Sequence, residues 1–206
     1  MKCIQTPISD VVIQDLKIGD RVLLSGTILT ARDAVHKWLC DTFIDQVRKP
    51  QDDDSAVYEA IKPLLAGGVL YHCGPIVAEL AEGDYQIMAA GPTTSMREEP
   101  FQAKVMQQFN VKAVIGKGGM GKQTLQACQE VPAVYLHAVG GAAALIAEKI
   151  QKVKAVFKLE FGVPEAIWVL EVEDFPLVVS MDSKGNSLHA HIEQQSREVL
   201  EQLLSS

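Results

Sequence analysis

Short apolar runs alternate with helix-period segments along this chain. Residues 22–29 read as a strand. Val35, Leu39, Phe43 and Val47 follow at spacings of four, joined by Trp38, and predict a helix starting near Arg32, which places Arg32 at a strand-to-helix junction. Residues 49–55 (Lys-Pro-Gln-Asp-Asp-Asp-Ser) break that helix and read as an inserted, exposed acidic loop. Its aspartates are expected to be solvated, because no glycine-bearing calcium-loop pattern follows. Residues 69–73, 85–90, 111–115 and 133–137 are the next strand candidates, and three of them run straight into Gly74, Gly91 and Gly116. Residues 101–109, 123–129 and 142–151 read as helices, which gives the alternation of βαβ units. Ser95-Met96-Arg97-Glu98 has the spacing of a capping box, but Pro100 moves the helix start toward itself and leaves Arg97 in a loop. Strands at 166–172 and 177–181, a turn between strands at 182–186 and a polar helix around 196–204 complete the chain. With no internal linker or repeat, residues 1–206 are expected to form a single α/β domain.

The composition, 48% hydrophobic and 22% charged, is that of a globular protein with a substantial core. No run approaches the ~20 apolar residues of a membrane-spanning helix. The first residues, Met1 to Pro7, lack the apolar stretch of a secretory signal, so a cytoplasmic location is expected. A net charge of −7 disfavours non-specific binding to nucleic acid. The four cysteines, Cys3, Cys40, Cys73 and Cys128, are widely separated and form no C-x-x-C pair, so free thiols are expected. His189 and His191, with only Glu193 nearby, read as a solvated strand or helix entrance, and no metal ligand is assigned to this chain.

The chemistry concentrates in two stretches that each follow an apolar run. Gly91-Pro92-Thr93-Thr94-Ser95-Met96-Arg97 and Gly116-Lys117-Gly118-Gly119-Met120-Gly121-Lys122 bring together hydroxyls, glycines and cations suited to an anion. The second nearly matches the phosphate-cradling G-x-x-x-x-G-K-[ST] loop, but Gln123 stands where a magnesium-binding hydroxyl is required, which counts against a nucleotide site. A dicarboxylate is the alternative. Guanidinium groups hold carboxylates bidentately and a lysine adds a point charge, so Arg32, Arg97 and Lys117 suffice if they meet in space. Gly116, Gly118 and Gly119 would let the backbone approach such a ligand, and Thr93 and Thr94 place hydroxyls beside it. Local sequence alone equally allows surface ion pairs for the arginines, a solvated turn for Lys117 and a backbone-bonded turn hydroxyl for Thr93.

Five motifs occur in order: Thr30-Ala31-Arg32-Asp33-Ala34-Val35-His36; Cys73-Gly74-Pro75-Ile76; residues 91–97 above; Val114-Ile115-Gly116-Lys117-Gly118-Gly119-Met120; and Pro164-Glu165-Ala166-Ile167-Trp168. Together they resemble the β subunit, or C-terminal domain, of the class I fumarate hydratases and the related L-tartrate dehydratases, from about Pro7 to about His189. The resemblance implies a three-layer β/β/α swivelling domain with a mixed sheet. It implies a hydro-lyase interconverting (S)-malate and fumarate, with L-tartrate as the alternative substrate. The implied partner is an α subunit that ligates a [4Fe-4S] cluster, in an oligomer. Carried over by motif, Arg32, Arg97 and Lys117 are substrate-binding cations and Thr93 is the acid/base hydroxyl. His36, Thr94, Gly116, Gly118 and Gly119 have supporting roles, His36 lying four residues from Arg32 on one helix face. The choice of malate over tartrate leans on the Ala-Arg-Asp context of Arg32 and on the segment Glu171 to Pro176. Residues 50–67 carry an acidic stretch that departs from shorter family members.

Overall fold

A computed structural model describes residues 1–51 and 53–205. The strands, in chain order, are β1 (Lys2–Gln5), β2 (Arg21–Thr30), β3 (Val69–Tyr71), β4 (Ile76–Ala81), β5 (Asp84–Ala89), β6 (Ala113–Gly116), β7 (Val134–His137), β8 (Ile150–Phe157) and β9 (Ile167–Met181). The helices are α1 (Asp10–Asp15), α2 (Asp33–Leu39), α3 (Asp54–Leu65), α4 (Glu99–Phe109), α5 (Lys122–Glu130), α6 (Ala143–Ala147) and α7 (Leu188–Ser205).

The mixed seven-stranded sheet closes on itself. β2, β3, β6 and β7 are successive parallel neighbours, β7 pairs antiparallel with β9, and β9 returns antiparallel to β2. The period-2 alternation of side chains then divides each strand between two cores. Val69, Tyr71, Ala113, Ile115, Val134, Leu136, Trp168 and Leu170 fill the interior of the closed sheet. Their neighbours Leu70, Val114, Tyr135, Ile167 and Val169 pack outward with Trp38, Leu65, Val105, Met106 and Ala127 of the helices. At roughly 1.5–3 kcal/mol for each fully buried large apolar side chain, both faces of these strands are strongly specified. This is why they read as unbroken apolar runs.

β2 and β9 both bend where they pair. The register slips between Leu24 and Gly26, Gly26 takes φ +103°, and Asp174 opposite takes φ +50° with its N–H donating to Ser25 Oγ at 3.0 Å. The bulge lets β2 pair first with β1 and then with β3.

Several expectations are corrected. The 166–172 and 177–181 strands are one strand, β9, because Phe175, Pro176 and Leu177 keep their pairing to β2 through the bend. The helix expected at 142–151 stops at Ala147, since Ile150 pairs with Val172 and starts β8. The turn at 182–186 leads into α7 rather than a strand, placing His189 and His191 on a helix. The helix after Arg32 passes into a π-helical turn at Cys40–Ile44, so Val47 lies beyond it and is exposed. Thr6–Pro7 is a cis peptide.

The acidic stretch is also different from its expectation. Asp52 lies outside the described residues and Asp53 is exposed, but Asp54 is buried at the start of α3. Its carboxylate accepts from Trp38 Nε1 at 2.9 Å and Gln51 N at 2.8 Å, and pairs with Arg48 at 3.0 Å and with Lys158. Burial alone would raise its pKa; Lys158 and these donors outweigh burial and hold it at about 2. Stability from this group is therefore full above the ordinary carboxylate range and is lost as pH falls toward about 2. Asp54→Asn removes the buried counter-charge of the largely buried Lys158 and leaves it only the exposed Glu160, at 2.9 Å. We expect a loss of about 3–5 kcal/mol in urea unfolding at pH 7. A loss below about 1 kcal/mol would show the pair to be energetically idle.

Candidate active site

The parallel strands β2, β3 and β6 end side by side, and their C-terminal ends carry the polar residues. Arg32 follows β2 and caps α2. The Pro92–Thr94 segment lies across the ends of β3 and β6, bridging to Cys73 at Pro92 and to Lys117 at Thr94. Its backbone is fixed there: Thr93 N donates to the His72 carbonyl, Ser95 N to the Lys117 carbonyl, and Lys117 N to the Thr93 carbonyl, at 2.7–3.2 Å. The result is a cleft of about 410 Å³ lined by Arg32, Pro92, Thr93, Thr94, Arg97 and Lys117.

Neither arginine is bare. Arg32 pairs with Glu165 at 3.1 Å and donates to the Pro164 carbonyl at 3.3 Å. Glu165 also accepts from Ala34 N, so one carboxylate both holds Arg32 and serves an open N–H of α2. Arg97 Nε lies 3.5 Å from Asp33. Lys117 makes no ion pair among the described residues. Arg32 is thus oriented by an acid of its own chain, while Arg97 stays half-exposed beside Asp33 without hydrogen-bonding it, a geometry that local sequence did not reveal although Glu165 stands in one of the five motifs.

Thr93 Oγ1 donates to the His72 carbonyl at 2.9 Å. The glycines divide in role. A Cβ at Gly116 would strike Ser95 Oγ, and one at Gly119 would strike His189, so both make room for this chain's own side chains. Gly118 has open space around it at φ +81° and is the one of the three whose backbone faces no packed neighbour. The His36 ring hydrogen-bonds the Arg32 backbone and Gln102: its Nδ1 meets the Arg32 carbonyl at 3.0 Å and its Nε2 points to Gln102.

The rival phosphate reading meets a direct obstacle. The N-terminus of α5, where a phosphate would sit, is filled by the Glu99 carboxylate, which accepts from Gly121 N, Gln123 N, Thr124 N and Thr124 Oγ1. Lys122 is exposed beside it.

Behind the cleft lies a buried polar layer that includes His72, Ser95, Glu98 and Gln102. Burial drives the His72 pKa down to about 3 and, together with the neighbouring Asp33, drives Glu98 up to about 8. His72 and Glu98, 4.0 Å apart, are therefore both neutral near pH 7 and form no ion pair. The protonated Glu98 carboxyl can donate to the neighbouring Asp33 carboxylate, and Arg97 approaches to 3.9 Å.

Cys3 is exposed, whereas Cys40, Cys73 and Cys128 are buried and burial pushes their thiols up to about 11, 12 and 12. Among the described residues no three His, Cys, Asp or Glu side chains are grouped to hold a metal. No described helix is long and apolar enough to cross a membrane.

With this architecture in view, the family is clear: the chain belongs to the fumarase C-terminus family, which it matches over residues 3–192. It is 48% identical over 199 residues to a Geobacillus stearothermophilus protein named "Putative fumarate hydratase class I"; the match takes in 97% of this chain and 35% of that protein, so the chain spans about a third of that relative. It is 38% identical over 191 residues to the L(+)-tartrate dehydratase subunit beta of Escherichia coli K12, covering 92% of this chain and 87% of the relative.

The Glu98 geometry has a measurable consequence. Its folded pKa lies above the unfolded value, so the folded state holds a proton that the unfolded state has released, and stability falls as pH rises from about 4.5 to about 8. Glu98→Gln keeps the neutral shape and removes the titration. Thermal unfolding of both proteins across this range should show a shallower decline in the variant; parallel declines would mean that Glu98 is ionised throughout.

Proposed function

We propose that this chain is the β-type part of an iron–sulfur hydro-lyase that interconverts (S)-malate and fumarate plus water. The observation that carries the reading is the single cleft shared by Arg32, Thr93, Arg97 and Lys117: Arg32 follows β2, Lys117 follows β6, and the segment after β5 carries Thr93 and Arg97 across the ends of β3 and β6. A C4 dicarboxylate needs two anchoring points, and two arginines with a lysine supply them in fixed orientation. Because no three His, Cys, Asp or Glu side chains are grouped among the described residues, the [4Fe-4S] group belongs in this reading to an α-type partner, which closes over the cleft. The relative that is about three times as long accords with a second part joined in one chain.

Within that complex, this chain's residues bind and orient the substrate and handle one proton. Removal of a proton from one carbon and of hydroxide from the next gives fumarate and water. Thr93 is the acid/base candidate. Its hydroxyl now donates to the His72 carbonyl, which cannot accept the proton itself, so a basic form of Thr93 requires the nearby charges of Arg97 and Lys117. The substrate carboxylates would take over Arg32 donors now engaged by Glu165 and meet the half-exposed Arg97 guanidinium beside Asp33.

Tartrate is the second reading, supported by the tartrate dehydratase relatives. The segment Glu171 to Pro176 cannot arbitrate: Glu171 is engaged by Thr27 and Lys154, and none of the segment lines the cleft. The Arg32 context and the higher identity to the relative named as a fumarate hydratase favour malate.

The purified chain alone should carry no stoichiometric iron or sulfide and show no hydratase turnover, gaining activity only with its partner. Iron and turnover on the lone chain would defeat the assignment. In the reconstituted enzyme Lys117→Ala should cost ~2–4 kcal/mol in kcat/KM, the scale of losing a preorganised charge donor, while Lys122→Ala stays within about twofold of wild type. Equal effects would remove Lys117 from the clamp.

A further inference from the structure

The polar layer beneath the cleft contains a hydrogen-bonding problem with one satisfactory solution. His36 and His72 are fully buried, with ring centroids 5.3 Å apart, and the side-chain amide of the fully buried Gln102 lies between them. One amide atom faces both rings, 2.9 Å from His36 Nε2 and 2.8 Å from His72 Nε2. If that atom is the oxygen, Gln102 Nε2 has no partner at all.

His36 decides the orientation. Its Nδ1 lies 3.0 Å from the Arg32 carbonyl, which can only accept, so Nδ1 carries the proton. An oxygen at Nε2 would demand a second proton there and make a buried imidazolium. The ring's surroundings oppose that charge: burial lowers the His36 pKa, outweighing its hydrogen bonds and Asp33. A half-turned amide instead presents NH₂, whose two donors match two imidazole lone pairs. The carboxamide oxygen is then the atom left over, a lesser cost than an orphaned donor. His72 Nδ1 then carries its proton toward Ser95 Oγ at 2.8 Å, and that oxygen also accepts from Tyr135 OH at 2.9 Å.

We propose that Gln102 is the positioning residue of the substrate clamp, donating one amide N–H to His36 and one to His72 and so locking three cleft segments in register. His36 fixes the Arg32 backbone. The His72 carbonyl takes both the N–H and the hydroxyl of Thr93, and its ring holds Ser95, which packs against Gly116 just before Lys117 and donates its N–H to the Lys117 carbonyl. A single amide on α4 thus connects the segments that carry Arg32, Thr93 and Lys117. Gln102 touches no substrate; it acts through the two imidazoles. The catalytic consequence rests on the hydro-lyase reading, whereas the tautomers do not.

Two measurements test it. Long-range nitrogen–proton NMR on the full chain, with its five histidines assigned by substitution, reports the ring protonation directly. Both His36 and His72 should be neutral Nδ1–H tautomers at pH 7. A doubly protonated His36, or an Nε2–H tautomer at either ring, would overturn the proposal whether or not the enzyme reading holds. In the reconstituted enzyme, Gln102→Glu offers only acceptors to the two rings. It should raise KM for malate and lower kcat together, by at least about tenfold in kcat/KM, with a new pH dependence as the rings take up protons. A variant with wild-type KM, with kcat reduced only in proportion to folded protein, would show a merely structural role. Wild-type kinetics would show that an accepting group suffices. Either result overturns the proposal, and failure of wild type to turn over malate or tartrate would count against the function alone.

Discussion

The long antiparallel pairing of β2 with β9 is the constraint on which the rest of the structure depends. Each strand has a second set of partners on its other edge: β1 and β3 for β2, β7 and β8 for β9. That arrangement closes the sheet and creates two cores from one set of strands. Loss of the bulge at Gly26 would straighten the pair and remove the bend that carries β2 from β1 to β3. Thr30 fastens the same corner, its hydroxyl donating to the Ala166 carbonyl and accepting from Trp168 N. Arg32 and Glu165 lie just outside that corner, so their ion pair follows from the closure of the sheet.

In the proposed reading, an acidic chain presents an anion site. The net charge of −7 is spread over the molecule, while the strand ends gather Arg32, Arg97 and Lys117. Glu165 and Asp33 reduce repulsion between the cations, and a neutral Glu98 avoids adding a further negative charge beneath Arg97. The donors and acceptors of the polar layer below are buried, where an unmatched group costs about 1–3 kcal/mol. Such a layer lets a clamp keep its geometry before any ligand arrives.

Much of this was legible in the sequence, for identifiable reasons. β3, β6 and β7 have two buried faces and therefore appear as unbroken apolar runs. β4 and β8 did not stand out: the first lies in an exposed hairpin, and the second turns Gln151, Lys152 and Lys154 to solvent after an alanine-rich stretch suited to a helix. Glu173-Asp174-Phe175-Pro176 looked like a break because nothing local says that β2 will pair through it. The proposed clamp residues could be named because each follows a strand and sits in a motif. Their counter-charges and the His36–Gln102–His72 chain could not, because those partners lie 66 and 30 positions apart in sequence and 133 and 64 for Arg32–Glu165 and Arg97–Asp33.

The most direct test of the central claim is a crystal structure of the reconstituted complex with a C4 dicarboxylate such as succinate. The account predicts the two carboxylates bound by Arg32, Arg97 and Lys117, with Thr93 beside the methylene carbons. A dicarboxylate held elsewhere, with Arg32 still on Glu165 and Arg97 still on Asp33, would contradict it.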